Sequence, residues 1–120
     1  MQRFTELKVW QRSHQLVLEI YRLTKGFPKE ELYGVTSQLR RAVASVPSNI
    51  AEGSKRKQLQ DYARFLNIAE SSLCETEYFI ILSRDLGYLM KEVALNPLQE
   101  IDEIARMLNA LRESVERAKG

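Results

Sequence analysis

The chain has 120 residues and a formal net charge of +2, a length that fits one domain, residues 1–120, with a single core. Five glycines and three prolines argue against both disorder and a β-rich fold. The single cysteine, Cys74, excludes an internal disulfide and suits a reducing cytoplasm.

Met1 to Thr5 reads as a short tail, with Thr5 able to cap a first helix from about residue 6 to 25. Val9, Leu16, Ile20, Leu23 and Phe27 make one stripe of that helix, and Trp10, Val17, Tyr21 and Thr24 a neighbouring one. Trp10 reads as a core or interface anchor. Gly26 and Phe27-Pro28 then turn the chain. Glu30 and Glu31 suit the positive end of a helix dipole just before the second helix, about 34–52.

In the second helix Leu39, Ala42, Val43, Val46 and Ile50 recur at three- and four-residue spacing, which is one helical face. Arg40, Arg41 and Ser45 fall off it. Pro47 has no N–H for the carbonyl of Val43, so the helix is expected to run on with a kink; the alternative is a stop at Ser45 and a restart. Ser48 and Asn49 can satisfy the backbone groups the proline leaves unpaired. Gly53 is placed to end the helix in the left-handed conformation, before the basic turn Lys55-Arg56-Lys57.

A third helix, about 58–86, has the stripe Leu59, Tyr62, Leu66, Ala69, Leu73, Thr76, Ile80 and Ser83. Phe65, Ile68, Phe79, Ile81 and Leu82 lie off it, and a helix apolar on two sides is expected to be covered on two sides, here by another subunit. Cys74, beside Leu73, reads as a small buried hydrophobe. Gly87 closes this helix. Asn96-Pro97 gives a start signal for a fourth helix, about 97–118, with the stripe Leu98, Ile101, Ala105, Leu108, Leu111 and Val115. The expected fold is all-α: an antiparallel up-down-up-down four-helix bundle of long helices, helix 2 kinked at Pro47.

The segment Arg40 to Gly53, RRAVASVPSNIAEG, with Val9-Trp10-Gln11, Phe27-Pro28, Tyr33-Gly34 and Leu86-Gly87-Tyr88 around it, resembles the 23S rRNA intervening-sequence protein family, also called the four-helix bundle protein family. The resemblance covers Phe4 to about Leu111. It implies the four-helix fold. Some members are encoded within insertions in bacterial rRNA genes. A distant relative, the accessory protein of diversity-generating retroelements, is a basic homopentamer that works with a reverse transcriptase. The resemblance therefore implies a homo-oligomer, a homopentamer by analogy, with RNA or DNA and a reverse transcriptase or other protein as possible partners.

Chemistry is sparse. His14 is the only histidine and reads as a partly buried polar residue rather than a base. One histidine and one cysteine make a metal site improbable. No phosphate loop or nucleophile elbow occurs, so no enzyme and no cofactor are expected. No leader of the secretory kind is visible, and no apolar run approaches the roughly 20 residues of a membrane span. Residues 1–64 carry twelve Lys and Arg against six Asp and Glu, whereas residues 65–120 carry six against ten. Intrachain pairing, head-to-tail subunit contacts and a basic face for nucleic acid each account for that asymmetry. Arg40, Arg41, Lys55, Arg56 and Lys57, supported by Arg64, are the candidate phosphate contacts. Phe65, Ile68, Phe79, Ile81 and Leu82 are the candidate oligomer interface. The expected function is a non-enzymatic, oligomeric nucleic-acid-binding accessory protein of the cytoplasm. The alternative is a scaffold whose basic patch docks an acidic protein. The lack of paired aromatics in the basic turn points to binding by shape and charge.

Overall fold

The structure, a computed structural model, describes residues 3–119, so Met1, Gln2 and Gly120 of the expected terminal segments lie outside it. Across the described residues run four α-helices and no strand: α1 (Lys8–Thr24), α2 (Val35–Ser54), α3 (Leu59–Asp85) and α4 (Lys91–Lys119). Short 3-10 turns, Phe4–Glu6 and Lys29–Glu31, precede α1 and α2. Each helix packs on two others, in the order α1, α2, α3, α4 and back to α1. Arg12 meets Glu100 and Glu103, while Glu19, later in α1, meets Asn96, earlier in α4. Ser45 meets Ser72, while Gly53, later in α2, meets Phe65 and Tyr62, earlier in α3. The resulting body measures 47 × 24 × 20 Å.

The core is the set of stripes that the helical period brings together. Leu16 and Ile20 of α1, Leu39, Val43, Val46 and Ile50 of α2, Leu66, Leu73 and Ile80 of α3, and Ile101, Ile104 and Leu108 of α4 are buried in one cluster. Burying side chains of this size is worth about 1.5–3 kcal/mol each, which is what outweighs the weak intrinsic stability of the separate helices.

Several expectations are corrected. Helix α4 starts at Lys91, not Pro97, and Pro97 lies inside it, buried. The missing N–H withdraws one partner, from the carbonyl of Val93, while burial of Leu89 and Ala94 draws this first stretch onto the core. Asn96 does not cap; its amide donates to Glu19 Oε2 at 2.7 Å. Thr5 does not cap either: Leu7 holds the position before α1 and makes no side-chain cap bond. Gly53 lies within α2 rather than ending it, and Gly87 is the one glycine in the left-handed region among the described residues, at φ 86°. Ala105 is exposed where Ile104 takes the core position, and Leu59 is exposed while Ala63 is buried. Cys74 is exposed, because it stands about 100° around α3 from buried Leu73.

Helix α2 continues through Pro47 without a stop at Ser45. Its polar support differs in detail from the expected one. Ser48 Oγ and the Asn49 amide both donate to the carbonyl of Ser45, at 3.2 and 2.7 Å, not to that of Val43. A side chain reaches the carbonyl one turn behind its own position, and from 48 and 49 that is residue 45. Asn49 also reaches Ser45 Oγ, which shares a hydrogen bond with Ser72 Oγ at 2.8 Å across the α2–α3 seam.

Candidate nucleic-acid interface

The basic residues singled out from the sequence form two groups. Arg40 and Lys55 are fifteen positions apart, about 22 Å along a helix. Arg40 is half-buried against the end of α1. Its Nε donates to Thr24 Oγ1 at 2.8 Å and its guanidinium lies 4.7 Å from the Tyr21 ring centroid. Arg41 beside it is exposed. Lys55, Arg56, Lys57 and Arg64 gather at the opposite end, where α2 leaves and α3 begins; all four are exposed.

Phe65 organises that end. The guanidiniums of Arg56 and Arg64 lie 4.8 and 4.7 Å from its centroid, so the ring holds both cations at the surface. Arg56 also pairs with Glu52 at 3.5 Å. Lys55 Nζ lies 5.6 Å from the ring of Phe4. That contact brings the start of the chain, with exposed Arg3 and Lys8, to the same end. Sequence reasoning missed these two cations. No local pattern marks them, since they join through the packing of the Phe4–Glu6 turn and α1 against α2.

Pairing differs between the two halves of the chain. In the acidic half, Arg84, Arg106, Arg112 and Arg117 each meet a carboxylate. Arg112 donates to Glu70 at 2.6 Å, and this bond raises its pKa above the ordinary arginine value. Arg12 of α1 crosses to α4, and its bonds to Glu103 and Glu100 raise its pKa likewise. In the basic half, the ion pairs among the described residues involve Arg12, Arg22 and Arg56; Lys55, Lys57, Arg64, Arg41, Arg3 and Lys8 enter none. Intrachain pairing therefore accounts for little of the positive excess.

The five apolar residues expected to face another subunit are spread along α3. Ile68 is 38% exposed, whereas Phe65, Phe79, Ile81 and Leu82 are half-buried. Phe79 packs against the core cluster. Among the described residues there is no group of three or more metal-ligating side chains, and no helix long and apolar enough to cross a membrane.

These features define a small all-α four-helix protein with exposed Lys and Arg side chains where α2 leaves and α3 begins. The chain belongs to the 23S rRNA-intervening sequence protein family, whose profile matches residues 5–110. It is similar to a protein of unknown function from the S23 ribosomal protein family of Bacteroides thetaiotaomicron VPI-5482. That crystal structure shares 25% identity and a TM-score of 0.81, over 87% of this chain and 97% of the other. No curated protein matches the chain. Neither description names an enzymatic activity.

Proposed function

We propose that this protein is a non-enzymatic accessory protein that binds nucleic acid by charge and works as a homo-oligomer in the cytoplasm. The observation that carries the reading is the set of unpaired cations at one end, Lys55, Lys57 and Arg64, joined by Arg3 and Lys8. A cation without a carboxylate partner is free to meet a phosphate and release its condensed counterions. Repetition in an oligomer multiplies that gain; the family resemblance alone supplies the number five. The outward side chains of α3, Ile68 foremost, are the proposed subunit contact.

The test is fluorescence anisotropy of a structured RNA and a matched DNA duplex across a salt series. Wild type is compared with the Lys55→Ala, Arg56→Ala, Lys57→Ala triple variant. The expected result is binding that weakens steeply with salt, with the slope reduced in the variant by roughly one for each phosphate left without its cation. Absence of binding at low salt would assign the charge to an acidic protein partner, and the scaffold reading would replace this one.

A further inference from the structure

We propose that the end of the bundle where α2 and α4 begin is a contact between two copies of this chain, joined end to end about a twofold axis. Its apolar centre is Leu32, Tyr33, Leu86 and Met90.

Two turns build this end. One, residues 25–34, joins α1 to α2; the other, residues 86–90, joins α3 to α4. The Tyr88 hydroxyl donates to Glu31 Oε2 at 2.8 Å, and the rings of Tyr88 and Phe27 lie 5.5 Å apart. The short pieces Phe27-Pro28, Tyr33-Gly34 and Leu86-Gly87-Tyr88, which stand apart in the sequence, therefore meet here. The two turns form one surface before any partner arrives, so docking orders little that is not already fixed.

Phe27, Tyr88 and Leu89 make the inward contacts of the turns, and the four residues of the patch take no part in the core. Tyr33 is 90% exposed, Met90 68%, Leu86 49% and Leu32 48%. At about 200 Å² for a fully exposed side chain of this size, the four present roughly 500 Å² to water. A chain that stays single seldom leaves an apolar patch of more than a few hundred Å² uncovered. Two copies covering this one remove roughly 1,000 Å², about the least that a specific interface needs. The other end of the bundle has no counterpart. Of the large apolar side chains exposed among the described residues, Leu59 alone stands there.

The charges beside the patch decide between occupants. Lys25, Lys29 and Lys91 stand in the turns and at the adjoining helix ends with Glu30, Asp85 and Glu92, and all six are exposed. Asp85 meets Arg84 beside it; the other five enter no ion pair among the described residues. An anionic lipid surface or a nucleic acid would draw an excess of cations, and a strongly charged protein would draw the opposite sign alone. An equal mixture suits a surface that carries the same mixture. A second copy does. A twofold axis sets each side chain against a different one of the other copy, so lysine can meet carboxylate across it.

The contact is separate from the one proposed for α3, which runs along the side of the bundle, and it doubles whatever assembly that side builds. The body is 47 Å long, so two copies in line make a rod of roughly 90 Å. Lys55, Lys57 and Arg64 stand at its two extremes, outside the contact.

Sedimentation equilibrium on the full chain tests the inference. Tyr33→Asp and Met90→Asp each set a carboxylate in the patch and leave the core untouched, so circular dichroism is expected to show unchanged helicity. Each is expected to halve the mass of the wild-type assembly. Tyr33→Phe keeps the ring and is expected to keep the wild-type mass. Equal masses for wild type and both aspartate variants would overturn the inference, and a fall by a factor other than two would overturn the twofold arrangement. Flotation with phosphatidylcholine vesicles that wild type shows and Tyr33→Asp loses, at unchanged mass, would give this end to a lipid surface instead. No nucleic acid is present in these measurements, so failure of the nucleic-acid reading leaves their outcome untouched. Ile68→Asp reports on the α3 contact separately.

Discussion

A Cβ added to Gly53 would stand 2.7 Å from the Cβ of Phe65. It would also lie 3.0 Å from Cδ1 of Tyr62. The glycine is thus required by the closeness of α2 and α3 rather than by a turn. Gly53→Ala gains about 1 kcal/mol of helix propensity. It also forces a methyl group against an atom fixed to the α3 backbone, and overpacking of that kind costs about 1–3 kcal/mol. The cost wins, because Phe65 Cβ is not the movable end of a flexible chain. The expected outcome is a lower urea midpoint for Gly53→Ala. The same contact positions Phe65 beneath Arg56 and Arg64, so the variant is also expected to weaken the nucleic-acid binding proposed for these cations.

Much of the fold is legible in the apolar period, because a buried stripe on a helix leaves a mark every three or four residues. Leu66, Ala69, Leu73, Thr76, Ile80 and Ser83 are all readable in this way, and all are buried. Gly53 is not, since a left-handed stop and a close helix approach demand the same residue. The start of α4 is hidden for a related reason. Asn96-Pro97 is a good local start signal, and only the tertiary burial of Leu89 and Ala94 overrides it. At the candidate site the basic turn is plain in the sequence. Arg3 and Lys8 are not, because Lys55 reaches Phe4 across more than fifty residues of chain.

Thr36 carries a buried hydroxyl with no hydrogen-bond partner. The residue is 3% exposed, so the hydroxyl is withdrawn from bulk water. Thr36→Val removes the hydroxyl and keeps the shape, and the two residues have similar helix propensity. The variant is expected to be more stable by about 1 kcal/mol. Differential scanning calorimetry would show this as a rise in melting temperature. A fall would mean that the hydroxyl is satisfied in solution.

Glu31 ties the turn before α2 to the turn before α4. The Tyr88 hydroxyl donates to Glu31 Oε2 at 2.8 Å, and the backbone N–H of Val35 donates to Oε1 at 3.2 Å. These bonds, that of Tyr88 first, lower the Glu31 pKa below its ordinary value. A depressed carboxyl contributes stability that is fully present above its unfolded pKa. That contribution is lost as pH falls through the folded value. Tyr88→Phe is therefore expected to unfold at lower urea than wild type at neutral pH, with the difference closing under acid conditions below the usual carboxylate range. A difference that stayed constant into acid would mean that the hydroxyl contributes independently of the Glu31 charge, since phenylalanine keeps the ring that packs against Phe27 at 5.5 Å.

Assembly through α3 can be separated from folding of α3 by two variants. Ile68 is 38% exposed and Phe79 packs into the core cluster. Phe79→Asp would remove a ring that packs on the core cluster and set an unpaired carboxylate in its half-buried place, a loss of several kcal/mol. It is expected to lose helicity by circular dichroism, and its mass would then say nothing about subunit contacts. Ile68→Asp places its charge where water can reach it in the single chain. It is expected to keep full helicity. If the outer face of α3 is the subunit contact, the same charge is buried on assembly, and the light-scattering mass falls towards that of one chain. An unchanged mass with unchanged helicity would remove this face of α3 from the interface. The remaining faces would then have to supply the contact.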